Sequence, residues 1–183
     1  RGDRSAIVVD EAYIEFSGEP SAVELLDRYP NLLVLRTLSK ALAFAGARCG
    51  AVMGPADVIR ILNAIQAPYA MSTPVVECVE DALQSSALGE ASSRIAEIVD
   101  ERERLMAAMS SFGIVETVWP SAANFFLVRV ENSELVLREA RSQGILLRDF
   151  GSALPGCIRI TVGSRAENDR LLAAFAGIEG GAA

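Results

Sequence analysis

The sequence predicts an α/β protein in two parts: a layer of strands and helices, then a smaller α+β domain. Three observations predict it. Short apolar runs that end in a charged residue, Ala-Ile-Val-Val-Asp at 6–10 and Leu-Leu-Val-Leu-Arg at 32–36, carry the pattern of buried parallel strands. Stretches of helical periodicity alternate with them. Beyond residue 90 the character changes to short strands that follow one long helix, so residues 1–90 and 91–183 are read as the two parts.

Between the first two strands, Ser21 to Tyr29 is expected to be a helix, with Val23, Leu25, Leu26 and Tyr29 on roughly one face. Strand, helix and strand then bring two strand ends to one edge, where ligands of open α/β sheets bind. Arg48 to Gly54 predicts a third strand. A helix follows from Pro55 to Gln66 with Ile59, Leu62 and Ile65 as its apolar stripe, and another from Thr73 to Leu83. Gly89 to Phe112 predicts the long helix, with Ile95, Ile98, Leu105, Met106 and Met109 inward and Glu101, Arg102, Glu103 and Arg104 on the wet face. The second part is expected to hold strands at 114–118, 125–130, 145–147 and 158–162 and helices at 133–142 and 166–175, before a frayed tail at 180–183.

Composition narrows the chemistry. The chain has 183 residues, half of them apolar, and a net charge of -7 without a basic run, which argues against nucleic-acid binding. No stretch reaches the length of a membrane span, and charged Arg1 to Arg4 lead straight into a strand instead of a signal peptide, so a cytoplasmic setting is expected. Cys49, Cys78 and Cys157 lack metal-ligand spacing and are expected to be buried thiols. With no histidine, Ser-His-Asp, Cys-His and histidine-metal chemistry are excluded from within this chain. Of seventeen basic residues, only Lys40 is a lysine. Arginine cannot replace an amine nucleophile, because it stays protonated.

Around Lys40 the residue types converge on one cofactor chemistry. Pyridoxal phosphate needs an amine, which Lys40 offers, and a carboxylate that keeps its ring nitrogen protonated, which suits Asp10 at a strand end. The Tyr13 hydroxyl suits the ring's phenolic oxygen. Ser39 and Arg48 suit the phosphate. Lys40 would also serve as the base that moves the substrate's α-proton. Taken singly, each residue has an ordinary structural reading: a turn acid, a surface lysine, a rim tyrosine.

Val8-Val9-Asp10-Glu11-Ala12-Tyr13, Arg36-Thr37-Leu38-Ser39-Lys40-Ala41, the Gly46 to Gly50 segment around Arg48, and Ala67-Pro68-Tyr69 resemble the fold-type I aminotransferases. Within them they are most similar to the histidinol-phosphate aminotransferase family, from Ile7 to about Phe175. The resemblance implies the three-layer α/β/α large domain of pyridoxal-phosphate-dependent transferases, followed by a small α+β domain. It implies a transaminase acting on small molecules, a phosphorylated amino alcohol and glutamate or 2-oxoglutarate, as a homodimer when full length. It also implies that Arg159, in Cys157-Ile-Arg159-Ile, and Arg148, in Leu-Leu-Arg148-Asp149, grip the substrate's phosphate or carboxylate. Asn124 matches a family position but is equally suited to a strand-end hydrogen bond.

The family's N-terminal arm, its cofactor-phosphate turn, its ring-stacking aromatic and a tyrosine from the partner subunit have no counterpart here. The chain is therefore expected to be the C-terminal portion of a longer protein, to bind the cofactor poorly alone and to turn over nothing. Other enzymes of the same fold, a threonine-phosphate decarboxylase or an aromatic aminotransferase, would share the cofactor residues. A P-loop ATPase would share the Val-Val-Asp-Glu strand, but Lys40 has no glycine-rich loop before it. A non-catalytic dimerisation module is the remaining alternative.

Overall fold

The computed structural model describes residues 5–181, and Arg1 to Arg4 and the last two residues of the expected frayed tail lie outside it. The chain falls into two compact units, residues 1–94 and 95–183. Both are mixed α/β. No helix among the described residues is long and apolar enough to cross a membrane.

The first unit is built on a three-stranded sheet. β1 (Ile7–Asp10) runs parallel to β2 (Leu32–Thr37), with Asp10 level with Leu35. β3 (Gly50–Met53) returns antiparallel on the other side of β2. Gly50 sits opposite Thr37, and a Cβ there would lie 2.7 Å from the Arg36 carbonyl oxygen, so a side chain would push β3 away. The helices α1 (Ala56–Ile65) and α2 (Thr73–Ala82) follow, the latter started by Pro74 in its first turn.

Several expectations fail in this unit. Ser21 to Tyr29 forms no α-helix. Ser21 Oγ accepts the Val23 N–H, and a single 3-10 turn, Ala22–Leu25, precedes further turns. The cap satisfies the backbone locally, and Pro30 closes the segment before a helix could grow. β1 has the composition of a buried strand, yet Ile7 and Val8 are exposed, because no layer among the described residues covers them. Ile65, expected in the buried stripe of α1, is also exposed, while Ile59 and Leu62 are half-buried.

The long helix α3 (Ser85–Met109) runs through the division between the units. In the second unit, β4 (Val115–Val118), β5 (Phe125–Val130), β6 (Arg148–Asp149) and β7 (Cys157–Thr161) form an antiparallel sheet in the order β4-β5-β7-β6. α4 (Ser133–Ser142) is capped by the Asn132 side chain. α5 (Arg165–Gly181) begins with Ser164 and Glu167, whose side chains bond each other's backbone N–H. It therefore extends into the expected frayed tail. The core is closed: Leu105, Met109, Phe126, Val128, Val136, Ile158, Ile160 and Phe175 are buried together.

The strand expected at 145–147 is displaced to Arg148–Asp149. Gly144, at φ 74°, turns the chain after α4 and delays pairing until it reaches β7. The wet face assigned to α3 is only partly wet. Arg102 is buried and donates to the Ala123 carbonyl at 3.1 Å. Glu101, with its side chain 13% exposed, receives Arg104, Arg165 and Asn168. The Arg104 hydrogen bond leads in holding its pKa to about 2, against the opposing effect of burial. Arg102 can be buried and Glu101 half-buried because each has partners. All three cysteines are free, but only Cys157 is buried, and Cys78 on α2 is exposed.

Candidate functional site

The residues expected to hold a cofactor sit at the edge where β1 and β2 end. β2 stops at Thr37 because the chain folds into a turn there. The Thr37 hydroxyl accepts the Ser39 N–H at 3.1 Å and donates to Ser39 Oγ at 2.9 Å. The Phe44 N–H bonds the Leu38 carbonyl at 2.9 Å, and the Ala43 N–H bonds the Lys40 carbonyl at 3.1 Å. Lys40 thus lies on a closed turn, not at the start of a helix. Ala43 (φ 59°) and Arg48 (φ 52°) are both left-handed non-glycines, a conformation that costs about 1–2 kcal/mol each. Such strain gathers where a turn must present a particular side chain.

The turn brings Lys40 to Tyr13. Lys40 Nζ lies 5.4 Å from the centroid of the Tyr13 ring. Asp10 ends β1 at the same edge, exposed, with its Oδ1 accepting the Ala12 N–H at 3.0 Å. The structure therefore gathers the amine, the phenol and the strand-end carboxylate around one edge. Ser39 is bound to Thr37 within the turn. Arg48 is exposed, and its Nη1 donates to the Ala45 carbonyl at 3.2 Å within its own loop.

One residue of this region was overlooked in the sequence. Glu11 follows Asp10 and, by strand alternation, points the other way. It is buried and accepts Ser21 Oγ at 2.7 Å, Ala22 N–H at 2.6 Å and Arg36 Nε at 3.1 Å. Burial works against its charge, but these bonds and the Arg36 charge outweigh burial and hold its pKa below the usual value. Glu11 thereby ties the end of β1 to β2 just before the Lys40 turn. The available signal was an acid beside a strand-end acid, with an arginine at the matching end of the next strand.

The second unit carries the two arginines. Arg148 of β6 pairs in register with Arg159 of β7, so both side chains stand on one face of the sheet. Phe125 and Leu127 of β5 share that face, opposite the core residues Phe126 and Val128. Arg159 lies over the Phe125 ring, 4.9 Å from its centroid, and Arg148 over the Phe150 ring at 6.0 Å. Arg159 Nε is buried without a hydrogen-bond partner. Like charges directly opposite on a sheet repel, and a buried unpaired N–H costs about 1–3 kcal/mol. Among the described residues no carboxylate pairs with either arginine. Asp149, the nearest acid in sequence, turns instead to the Gly151 N–H at 2.9 Å. Two guanidiniums on one face, neither paired with a carboxylate among the described residues, carry the charge and the forked donors that phosphate or carboxylate groups bind in general. Asn124 meets its neighbour through the backbone, its carbonyl accepting the Val162 N–H at 3.0 Å.

Comparison with known proteins extends the geometry. The family model described as aminotransferase class I and II matches residues 3–175. The chain is 47% identical over 175 residues to a histidinol-phosphate aminotransferase of Xylella fastidiosa (strain 9a5c), covering 94% of this chain and 48% of that protein. It is 43% identical over 174 residues to one of Escherichia coli (strain SMS-3-5 / SECEC), covering 94% and 49%. Among solved structures, the histidinol-phosphate aminotransferase of Sinorhizobium meliloti in complex with pyridoxal-5'-phosphate superposes with a TM-score of 0.81 at 29% identity, over 97% of this chain and 50% of that one. The chain thus spans about half the length of the relatives it matches.

Proposed function

Because the chain belongs to the class I and II aminotransferase family, we propose that it forms part of a pyridoxal-phosphate-dependent transaminase that moves an amino group between histidinol phosphate and 2-oxoglutarate. The observation that carries this reading is the placement of Lys40 Nζ over Tyr13 at the edge where Asp10 ends β1. The names of the relatives at 47% and 43% identity support the substrate, in preference to other reactions run on the same fold.

The residues present fit the cofactor chemically: one primary amine, one strand-end carboxylate, one phenol and two phosphate donors. When bound, pyridoxal phosphate supplies an electron sink that loosens bonds at the α-carbon of an amino acid. Lys40 Nζ would anchor it covalently and, once displaced by substrate, move the proton at the α-carbon. Asp10 would keep a proton on the cofactor's ring nitrogen, and the Tyr13 hydroxyl would donate to its phenolic oxygen. Ser39 and Arg48 would donate to its phosphate, Arg48 by leaving the Ala45 carbonyl. In the second unit, Arg159 and Arg148 would bind the anionic group of either substrate, the phosphate of one and a carboxylate of the other. In this reading residues 1–90 belong to the cofactor-binding domain and 91–183 to the small domain, and the full-length protein works as a cytoplasmic homodimer.

The test is chemical capture. The chain is mixed with pyridoxal phosphate, reduced with borohydride, digested and mapped by mass spectrometry. An adduct on Lys40, lost in Lys40→Ala, is expected even if occupancy is low. Labelling of the N-terminal amine alone would overturn the assignment. In the longer protein carrying this sequence, Lys40→Ala should abolish transamination of histidinol phosphate. Full turnover by that variant, or turnover only of threonine phosphate, would overturn the mechanism or the substrate respectively.

A further inference from the structure

Arg159 is held in an unusual way for an arginine in an apolar strand. Such a group is ordinarily paired with a carboxylate, which stabilises the charge but also cancels it and occupies the guanidinium's fork of donors. Here an aromatic ring takes that place. The Arg159 guanidinium lies 4.9 Å from the Phe125 centroid, while its Nε remains buried without an acceptor. A ring face attracts the cation through its quadrupole but, unlike a carboxylate, brings no negative charge and no oxygen lone pair to occupy the guanidinium donors. The charge stays whole and the donors stay open.

The ring is itself fixed on a rigid turn. The Ala123 N–H bonds Ser121 Oγ at 3.1 Å, and Ser121 Oγ donates to the Phe125 carbonyl at 2.5 Å. Buried Arg102 holds the Ala123 carbonyl at 3.1 Å, and Val162 of the segment after β7 holds the Asn124 carbonyl at 3.0 Å. Phe125 is therefore locked to the strand that carries Arg159. Arg148 has a looser counterpart in Phe150, at 6.0 Å.

We infer that Phe125 is the positioning residue for Arg159, a ring that holds the guanidinium in place without neutralising it, so that its charge and its unpaired N–H groups are left for the substrate's anionic group. The inference rests on the reading of Arg148 and Arg159 as an anion-binding pair. It assigns a role in recognition to a residue that reads in the sequence only as a strand apolar.

The test follows the Arg159 Nε–H resonance of the full 183-residue chain by NMR during titration with inorganic phosphate. The wild type should show a ring-current displacement of that signal and a saturable shift with phosphate. Phe125→Leu keeps apolar bulk but lacks the ring face. It should lose the displacement and bind phosphate roughly tenfold more weakly, while Phe125→Trp should stay within about twofold of wild type. A folded Phe125→Leu chain that binds like the wild type overturns the inference, as does a Phe125→Trp chain that binds no better than Phe125→Leu. Should Phe125→Leu fail to fold, the wild-type signal decides, and an undisplaced Nε–H overturns the inference. Arg159→Met separates the two claims. If it binds phosphate normally, or the wild type does not bind at all, the anion pair itself fails and the inference with it. If Arg159→Met loses binding and Phe125→Leu does not, only the role of Phe125 falls.

Discussion

The two units use similar strand compositions and reach opposite degrees of burial. In the second, β5 and β7 turn Phe126, Val128, Ile158 and Ile160 onto α3, α4 and α5, and the cluster is closed. In the first, Ile7 and Val8 of β1 and Val52 of β3 lie open, as do Ile61, Ile65, Tyr69 and Met71 beyond them. Among the described residues, eleven of the thirteen exposed large apolar side chains fall in residues 1–94. An apolar run states that a strand can be buried, but burial requires a layer on that face. The second unit contains its own layers. The first holds the candidate cofactor residues on a sheet that buries Leu32 and Val34 of its middle strand but leaves both outer strands largely exposed, and relies on local devices, the Glu11–Arg36 pair and the Lys40 turn, to fix its edge.

That contrast can be broken or sharpened by substitution. The largest effect is expected at Phe126, fully buried in the closed core. Phe126→Ala should destabilise the second unit by about 3–5 kcal/mol, read by urea unfolding with the single tryptophan, Trp119, as the probe. A loss under about 1 kcal/mol would show that this core is not closed. Next comes Glu11→Ala, which removes three hydrogen bonds and leaves Arg36 only its longer 3.9 Å pair with Glu15. It should lower local stability by about 1–3 kcal/mol, seen as faster amide exchange at Ala22 and Val23 with the Trp119 transition unmoved. A shift in the Trp119 transition instead would show that the Glu11 bonds do not act only locally.

A third effect depends on pH. Glu101 is held to a pKa of about 2, below its ordinary 4.5, so it contributes stability above the upper value that is lost as pH falls toward the lower. The melting temperature of the second unit should drop between pH 4.5 and 2, and Glu101→Gln should flatten that drop. An unchanged acid profile in the variant would remove Glu101 as its source. The smallest effect is expected at Ile61, which is 64% exposed on α1. Ile61→Ser should alter unfolding by no more than about 0.5 kcal/mol while reducing self-association in light scattering. A large destabilisation would mean that this face is covered in solution.

Much of the architecture was legible because it is written locally. The period of α4 and its Asn132 cap define that helix, and Ser164 with Glu167 start α5. Local signals misled where a short-range bond competed with a helix, as when Ser21 capped a single turn. They also misled where charges were paired across elements: Arg102 and Glu101 read as solvent-facing until Ala123, Asn168 and Arg165 meet them. Of the candidate site, residue types and spacing pointed to Lys40, Asp10 and Tyr13. Glu11 left only a faint signal, an acid beside the strand-end Asp10, because its partner Arg36 lies 25 positions away.

The sequence by itself determined the α/β class, the places of β1 and β2 and the kinds of donors and acids available, because periodicity, capping and side-chain chemistry act over a few residues. Only the tertiary structure decided which charges meet. Register set Arg148 against Arg159, a turn set Lys40 over Tyr13, and packing set an aromatic ring, not an acid, beneath Arg159. Charge interaction depends on distance and burial, and both are properties of chain segments far apart in sequence brought together by the fold.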